Sequence, residues 1–293
     1  MKRLFLFLSF LFISHLISGQ GYNIGIRAGL NQSWFSGPTE PGESFGLSGG
    51  FHFGLGFQWN FNDVIGFRSE VVYNQKGSSY DFDAPDGYYV FVPEDGLSNI
   101  ILRDTSTITL NHSNAYIQLP QTVHFRINDD FEIFAGGYIG FLVSPVATGN
   151  ILFGGPDAKQ EHSFRQGLNF EYFSDDADTR FGSFFGNNSG TPILIRANGR
   201  DVTLRGVENS YDFMAFDIED SRFFSIDLGL TTGFAYYFNR GLYVMGRLEY
   251  GVKDITRNTA DPSFARVNDN ETPIFNNDRD LNVGAYLSIG FKF

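Results

Sequence analysis

The sequence contains no cysteine, which excludes a disulfide framework and any cysteine metal site. It is also short of positive charge: 21 Lys and Arg against 33 Asp and Glu give a formal charge of −12. That balance disfavours nucleic acid as a partner and has no bearing on fold. Long apolar runs are scarce. After the stretch from Leu4 to Ile13, nothing approaches the roughly 20 apolar residues of a membrane-spanning helix.

That first run has the layout of an export signal. In MKRLFLFLSFLFISHLISGQ, Lys2 and Arg3 precede the apolar core, and small residues follow up to Gly19. The pattern predicts a signal peptide over residues 1–19, cleaved near Gly19 or Gln20. A permanent anchor is the alternative, but the run is short and Ser14, His15 and Ser18 interrupt its end. Losing Lys2 and Arg3 would take the charge from −12 to −14. Residues 20–293, about 270 in number, allow one barrel or two small domains, either soluble outside the cytoplasm or built as a membrane barrel.

Glycine and aromatics are abundant: 34 Gly, 34 Phe and 14 Tyr. The mean hydropathy of −0.15 is polar for a membrane protein, but a barrel strand needs only every second residue to be apolar. Eight segments carry that period. From Phe45 to Trp59, Phe45, Leu47, Phe51, Phe53, Leu55, Phe57 and Trp59 alternate with Gly46, Ser48, Gly50, His52, Gly54, Gly56 and Gln58. The others begin near Tyr22, Val64, Ala115, Phe131, Phe224 and Leu242, and the last runs from Leu281 to Phe293. Each is near or above the 9–11 residues of a tilted membrane strand.

The connections sort by parity. Tight turns fall at Asn60 to Asp63, Asn128 to Asp130 and Asn239 to Gly241, whereas the other gaps are polar and about 10, 25, 75 and 23 residues long. Short turns at one end and long loops at the other predict an all-β, antiparallel, up-and-down transmembrane barrel of eight strands with long extracellular loops. Closure pairs the last strand with the first, so the chain can end on Phe293 within a strand. A terminal aromatic there resembles the signal that the barrel assembly machinery reads. The long insertion, residues 149–221, contains TPILIRANGRDVTLRGVEN, a hairpin pattern with Asn198 and Gly199 at the turn. If that hairpin entered the wall, the barrel would have ten strands.

The order IGIRAGLNQSWF, FRSEVVYNQKGSSY, AYIQLPQTVHFRI, FAGGYIGFLVS and GRLEYGVKDIT resembles the PorT-like outer-membrane barrels of Bacteroidetes-type bacteria. The likeness rests on Gly29 with Asn31, on Glu70, Tyr73, Lys76 and Gly77, on Leu119 with Pro120, and on Tyr250, Gly251, Asp254 and Ile255. It covers all eight strands but not the loops. The resemblance implies a small barrel in the cell outer membrane, and secretion components as partners of some members.

The inward phase holds Arg27, Arg68, Glu70, Lys76, His124, Arg126, Glu132, Asp227, Arg247, Glu249 and Lys253. An eight-stranded barrel is narrow enough for its side chains to fill. Both signs on neighbouring strands predict a paired lumen network rather than a solute path. His112 and Ser113 are adjacent and so face opposite sides, and no base–nucleophile pair emerges. The acidic stretches at 80–87, 174–180 and 267–280 read as solvated loops, and Asp81, Asp83 and Asp86 before Gly87 miss the ligand alternation of a calcium loop. No cofactor or catalytic residue is assigned. The expectation is a non-enzymatic barrel with a structural, binding or accessory secretion role, in contact with outer-membrane lipid. A narrow channel, or a lipid-modifying or proteolytic barrel, is the alternative.

Overall fold

The computed structural model describes residues 21–91, 100–154, 163–173, 191–197, 199–204, 206–208, 222–257, 266–267, 273–274 and 278–293. The expected signal peptide, the acidic run at 174–180 and Asn198 lie outside the described residues, as does part of the run at 267–280. The strands are β1 (Tyr22–Ser36), β2 (Glu43–Asn60), β3 (Ile65–Lys76), β4 (Ser78–Phe91), β5 (Ile100–Arg126), β6 (Phe131–Phe153), β7 (Phe164–Glu171), β8 (Ile193–Ala197), β9 (Arg200–Leu204), β10 (Val207–Glu208), β11 (Ile226–Tyr237), β12 (Leu242–Gly251), β13 (Arg266–Val267), β14 (Pro273–Ile274) and β15 (Leu281–Lys292).

Eight of them close a ring in the order β1, β2, β3, β5, β6, β11, β12, β15, every neighbour antiparallel. The seam pairs Gly25 with Lys292 through to Ser36 with Leu281. The wall therefore has no free edge at this level. The ten-stranded alternative is not the one formed: among the described residues β8 and β9 pair only with each other, with Gly199 at φ +78° in the turn.

The three short turns share one device. The side-chain oxygen of Asn62 accepts from the amides of Val64 and Ile65 at 2.9 and 2.7 Å. Asn128 does the same for Asp130 and Phe131, and Asn239 for Gly241 and Leu242. An apolar residue followed by Asn thus marks each strand reversal, because the Asn side chain imitates a backbone turn. Above these turns the outer wall is apolar, with Ile26, Leu30, Leu55, Leu230, Leu248, Leu287 and Ile289 all exposed. Rings crowd its short-turn rim: Tyr22 against Phe57 and Trp59, Trp59 against Phe61, and Phe291 against Phe293.

At the long-loop end the structure corrects the expected loops. Residues 80–87 belong to a strand, β4, which pairs with β5 and, at its start, with β2. Its acids alternate with rings: Tyr80 is buried, while Asp81 and Asp83 are exposed. The link from β3 into β4 is Gly77 alone, whose amide donates to Ser33 Oγ and whose carbonyl accepts from it. A side chain at Gly77 would strike the His112 carbonyl. Strands β5 and β6, 27 and 23 residues long, rise far beyond the belt. In β6 the register against β5 slips, Ala115 facing Ser144 and Tyr116 facing Leu142, so Val143 is a bulge. Inward residues are even-numbered up to Leu142 and odd-numbered from Pro145 to Phe153, since one inserted residue swaps the faces.

Above the bulge, β7 adds to β6 and the two-residue β10 joins β7 in parallel. The resulting shell encloses an apolar core that includes Phe35, Tyr80, Leu110, Ile151, Phe153 and Phe223, and the β8–β9 hairpin contributes Ile195, Val202 and Leu204.

Candidate functional site: a charged lumen under an aromatic cap

Within the ring, eight charged side chains meet. β1 supplies Arg27, β3 supplies Arg68, Glu70 and Lys76, and β6 supplies Glu132; Asp227 comes from β11, and Arg247 and Glu249 from β12. All are buried. Four cations face four carboxylates, so the cluster is neutral.

Arg27 grips Glu70 with two bonds, Nε at 2.7 Å and Nη2 at 3.1 Å. Lys76 Nζ bridges Asp227 and Glu249 at 3.1 and 3.0 Å, with the Tyr138 ring centroid 4.3 Å away. Arg247 lies 3.3 Å from Glu249 and stacks on Tyr286 at 4.6 Å. Toward the short-turn end, Arg68 Nη2 donates to Glu132 at 2.9 Å and to Gln58 at 2.7 Å. Neutral groups add further bonds, Gln118 donating to Glu249 and Asn282 to Asp227, while Arg68 Nη1 and the three Arg247 guanidinium nitrogens have no hydrogen-bond partner. Paired in this way, buried charges are tolerated; their desolvation cost offsets much of their attraction, so the network fixes geometry more than it adds stability.

Glycine makes room for the rings. Tyr138 lies over Gly229 and Tyr243 over Gly290, and a methyl group at either glycine would strike the ring. The inner wall is therefore thin where the aromatic side chains are thick, which lets large groups fill a narrow ring.

Of the charged residues expected in the lumen, Arg126 and Lys253 lie outside this cluster. Arg126 is half-buried at the last position of β5, and Lys253 follows the end of β12 with its Nζ 5.2 Å from the Phe224 ring. Strand parity gives the face of a residue but not its height.

Two hydroxyl–imidazole chains also emerge. Ser288 Oγ is 2.7 Å from His52 Nε2, whose Nδ1 is 3.3 Å from Asn31. Gly29 lies between His52 and Ser288 in the register, and without a side chain there the imidazole reaches across β1. Thr122 Oγ1 is 2.7 Å from His124 Nε2, with Glu132 2.5 Å from Nδ1. Sequence held a signal for the second chain, since Thr122 and His124 share a strand face. It held none for the first, whose members are 236 residues apart. Nucleophile, base and orienting group stand in catalytic order, but all six residues are buried. Among the described residues, no His, Asp and Glu group is placed to hold a metal ion.

Above the network, the aromatic core closes the mouth. Tyr116 and Leu142 sit at the boundary, and His112 is enclosed by Phe35, Tyr80, Tyr172 and Phe223.

A closed eight-stranded ring with an apolar belt and a filled interior is the architecture of an outer-membrane barrel. The chain belongs to the family described as outer membrane protein beta-barrel domain, which matches residues 18–257, and its place is the outer membrane. No curated protein matches the chain in sequence. Among solved structures it is similar to Ail, the attachment invasion locus protein of Yersinia pestis, at 11% identity and TM-score 0.34, covering 94% of this chain and 100% of that one. Neisserial surface protein A is similar at 10% identity and TM-score 0.34, with the same coverages. The outer membrane protease OmpT from Escherichia coli is similar at 11% identity and TM-score 0.31, covering 94% of this chain and 97% of that one.

Proposed function

We propose that this protein is a non-enzymatic outer-membrane barrel that conducts no solute and presents its extracellular shell and acidic loops as a binding surface. The observation that carries the reading is two seals in series: the neutral eight-charge network and, above it, the aromatic core. Burial of the Ser288 and Thr122 hydroxyls supports a role without hydrolysis, because an acyl group needs space beside its nucleophile.

The PorT-like motifs support a structural or accessory role in protein secretion. Glu70 and Lys76 of that pattern are members of the lumen network, and Gly77 is the hinge from β3 into β4. In this reading residues 1–19 are the export signal and 20–293 the barrel, with 149–221 as its extracellular insertion. The strand ending at Phe293 is the part offered to the assembly machinery, and lipid surrounds the belt. The test is electrical. The purified protein in planar bilayers should show no stable unitary conductance, and a reproducible one would favour the narrow channel.

A further inference from the structure

The lumen network is neutral, but the short-turn mouth beneath it is not. Arg126 at the end of β5 and Lys292 at the end of β15 are both half-buried there. Among the described residues neither makes an ion pair; Lys292 Nζ rests 4.6 Å from the Tyr237 ring centroid. Glu132, opposite Arg126 in the register, is already engaged by Arg68 and His124. The nearby turn carboxylates Asp63, Asp129 and Asp130 are exposed. Two cations therefore stand at the mouth of an acidic protein without a carboxylate in direct contact.

Beside Lys292 opens a cleft of about 280 Å³ including its mouth, whose walls include Arg27, Gln58, Arg68, Glu70, Tyr243 and Lys292, the Glu70 carboxylate being held by Arg27. Its enclosed part has room for about one water-sized group. Arg68 is 5% exposed. Its Nη2 serves Gln58, Glu132 and Tyr237, while its Nη1 has no hydrogen-bond partner. A buried guanidinium donor left unpaired is costly, and an anionic oxygen is its strongest partner.

We propose that this cleft is a periplasmic oxyanion site. One oxygen of a phosphate or carboxylate group enters the enclosed part and accepts from Arg68, while Lys292 in the cleft wall balances its charge; Arg126, outside the wall, adds only to the field from further away. The net charge of −12 works against general anion attraction, so binding here has to be local. The site goes beyond the closed-barrel reading, and a barrel that failed to bind anions could still be sealed.

The test uses the full folded chain in uncharged detergent, titrated separately with inorganic phosphate and with acetate by calorimetry. Saturable one-to-one binding is expected for at least one of them. Lys292→Gln should weaken it by about tenfold or more, and Arg126→Gln by less, while unheated gel mobility stays that of the closed barrel. Binding of phosphate alone would identify a phosphate site, and binding of both a general oxyanion site. Absence of saturable binding to the unaltered protein would overturn the proposal, as would undiminished binding in both variants.

Discussion

The lower barrel and the extracellular shell are built from the same strands with opposite chemistry. In β5 the even-numbered residues face inward throughout. Below Tyr116 they include Gln118, Thr122 and His124, with Val123 and Phe125 outside; above it Leu102, Ile108 and Leu110 join the apolar core beside the buried Ser106, His112 and Asn114, with Arg103 and Asn111 outside. What changes is the solvent. Where hydrocarbon surrounds the wall, apolar groups outside gain nothing from the interior, and hydrogen bonds must hold the lumen. Where water surrounds it, burying rings is favourable at about 25 cal/mol per Å² and an ordinary apolar core forms. A strand's inside is thus set by what lies beyond its outside.

The comparison breaks most sharply at Glu249. Glu249→Ala leaves Lys76 and Arg247 buried with one carboxylate fewer. A loss of about 3–5 kcal/mol is expected, because an uncompensated charge remains in a dry interior. Urea unfolding in micelles, read by the heat-dependent gel shift, measures it. Parent-like stability would mean that water reaches the lumen.

A matched pair tests the outer surface. Leu248 lies on the belt at 59% exposure, and Leu248→Arg should cost about 2–4 kcal/mol in a bilayer. Thr148 is exposed on β6 above the bulge, and Thr148→Arg should stay within about 0.5 kcal/mol. Equal costs at the two positions would put the membrane boundary in the wrong place.

Sequence made the lower half legible and the upper half much less so. Alternation in β2 and β15 is clean because one face must meet lipid along its whole length. The same alternation in β4 pairs Asp81 and Asp83 with Tyr80 and Phe82, and acids outside read as loop until water is known to surround the strand. In β6 the Val143 bulge reverses the phase, so Val146 to Phe153 does not look continuous with what precedes it. The charged members of the lumen cluster were readable from inward parity. Parity alone groups Arg126 and Lys253 with them, because height along the barrel leaves no trace in a period of two.

The smallest effect on the wall is expected from the largest change in the chain. Residues 149–221 could be replaced by a Gly/Asn-rich turn of about six residues, which removes β7 to β10 and the top of β6. None of these pairings closes the ring, since β6 meets β11 only from Phe131 to Phe141. Loop length itself changes closure entropy slowly. The shortened protein should still assemble, with the heat-dependent gel shift of a closed barrel, although Tyr80 and Leu110 lose much of their cover. It should also conduct poorly, because the eight-charge network lies wholly within the retained strands. A large stable conductance would identify the aromatic cap as the plug and the lower lumen as a pore. Failure to assemble would show that the shell, though outside the ring, is needed to bring β6 and β11 together during folding.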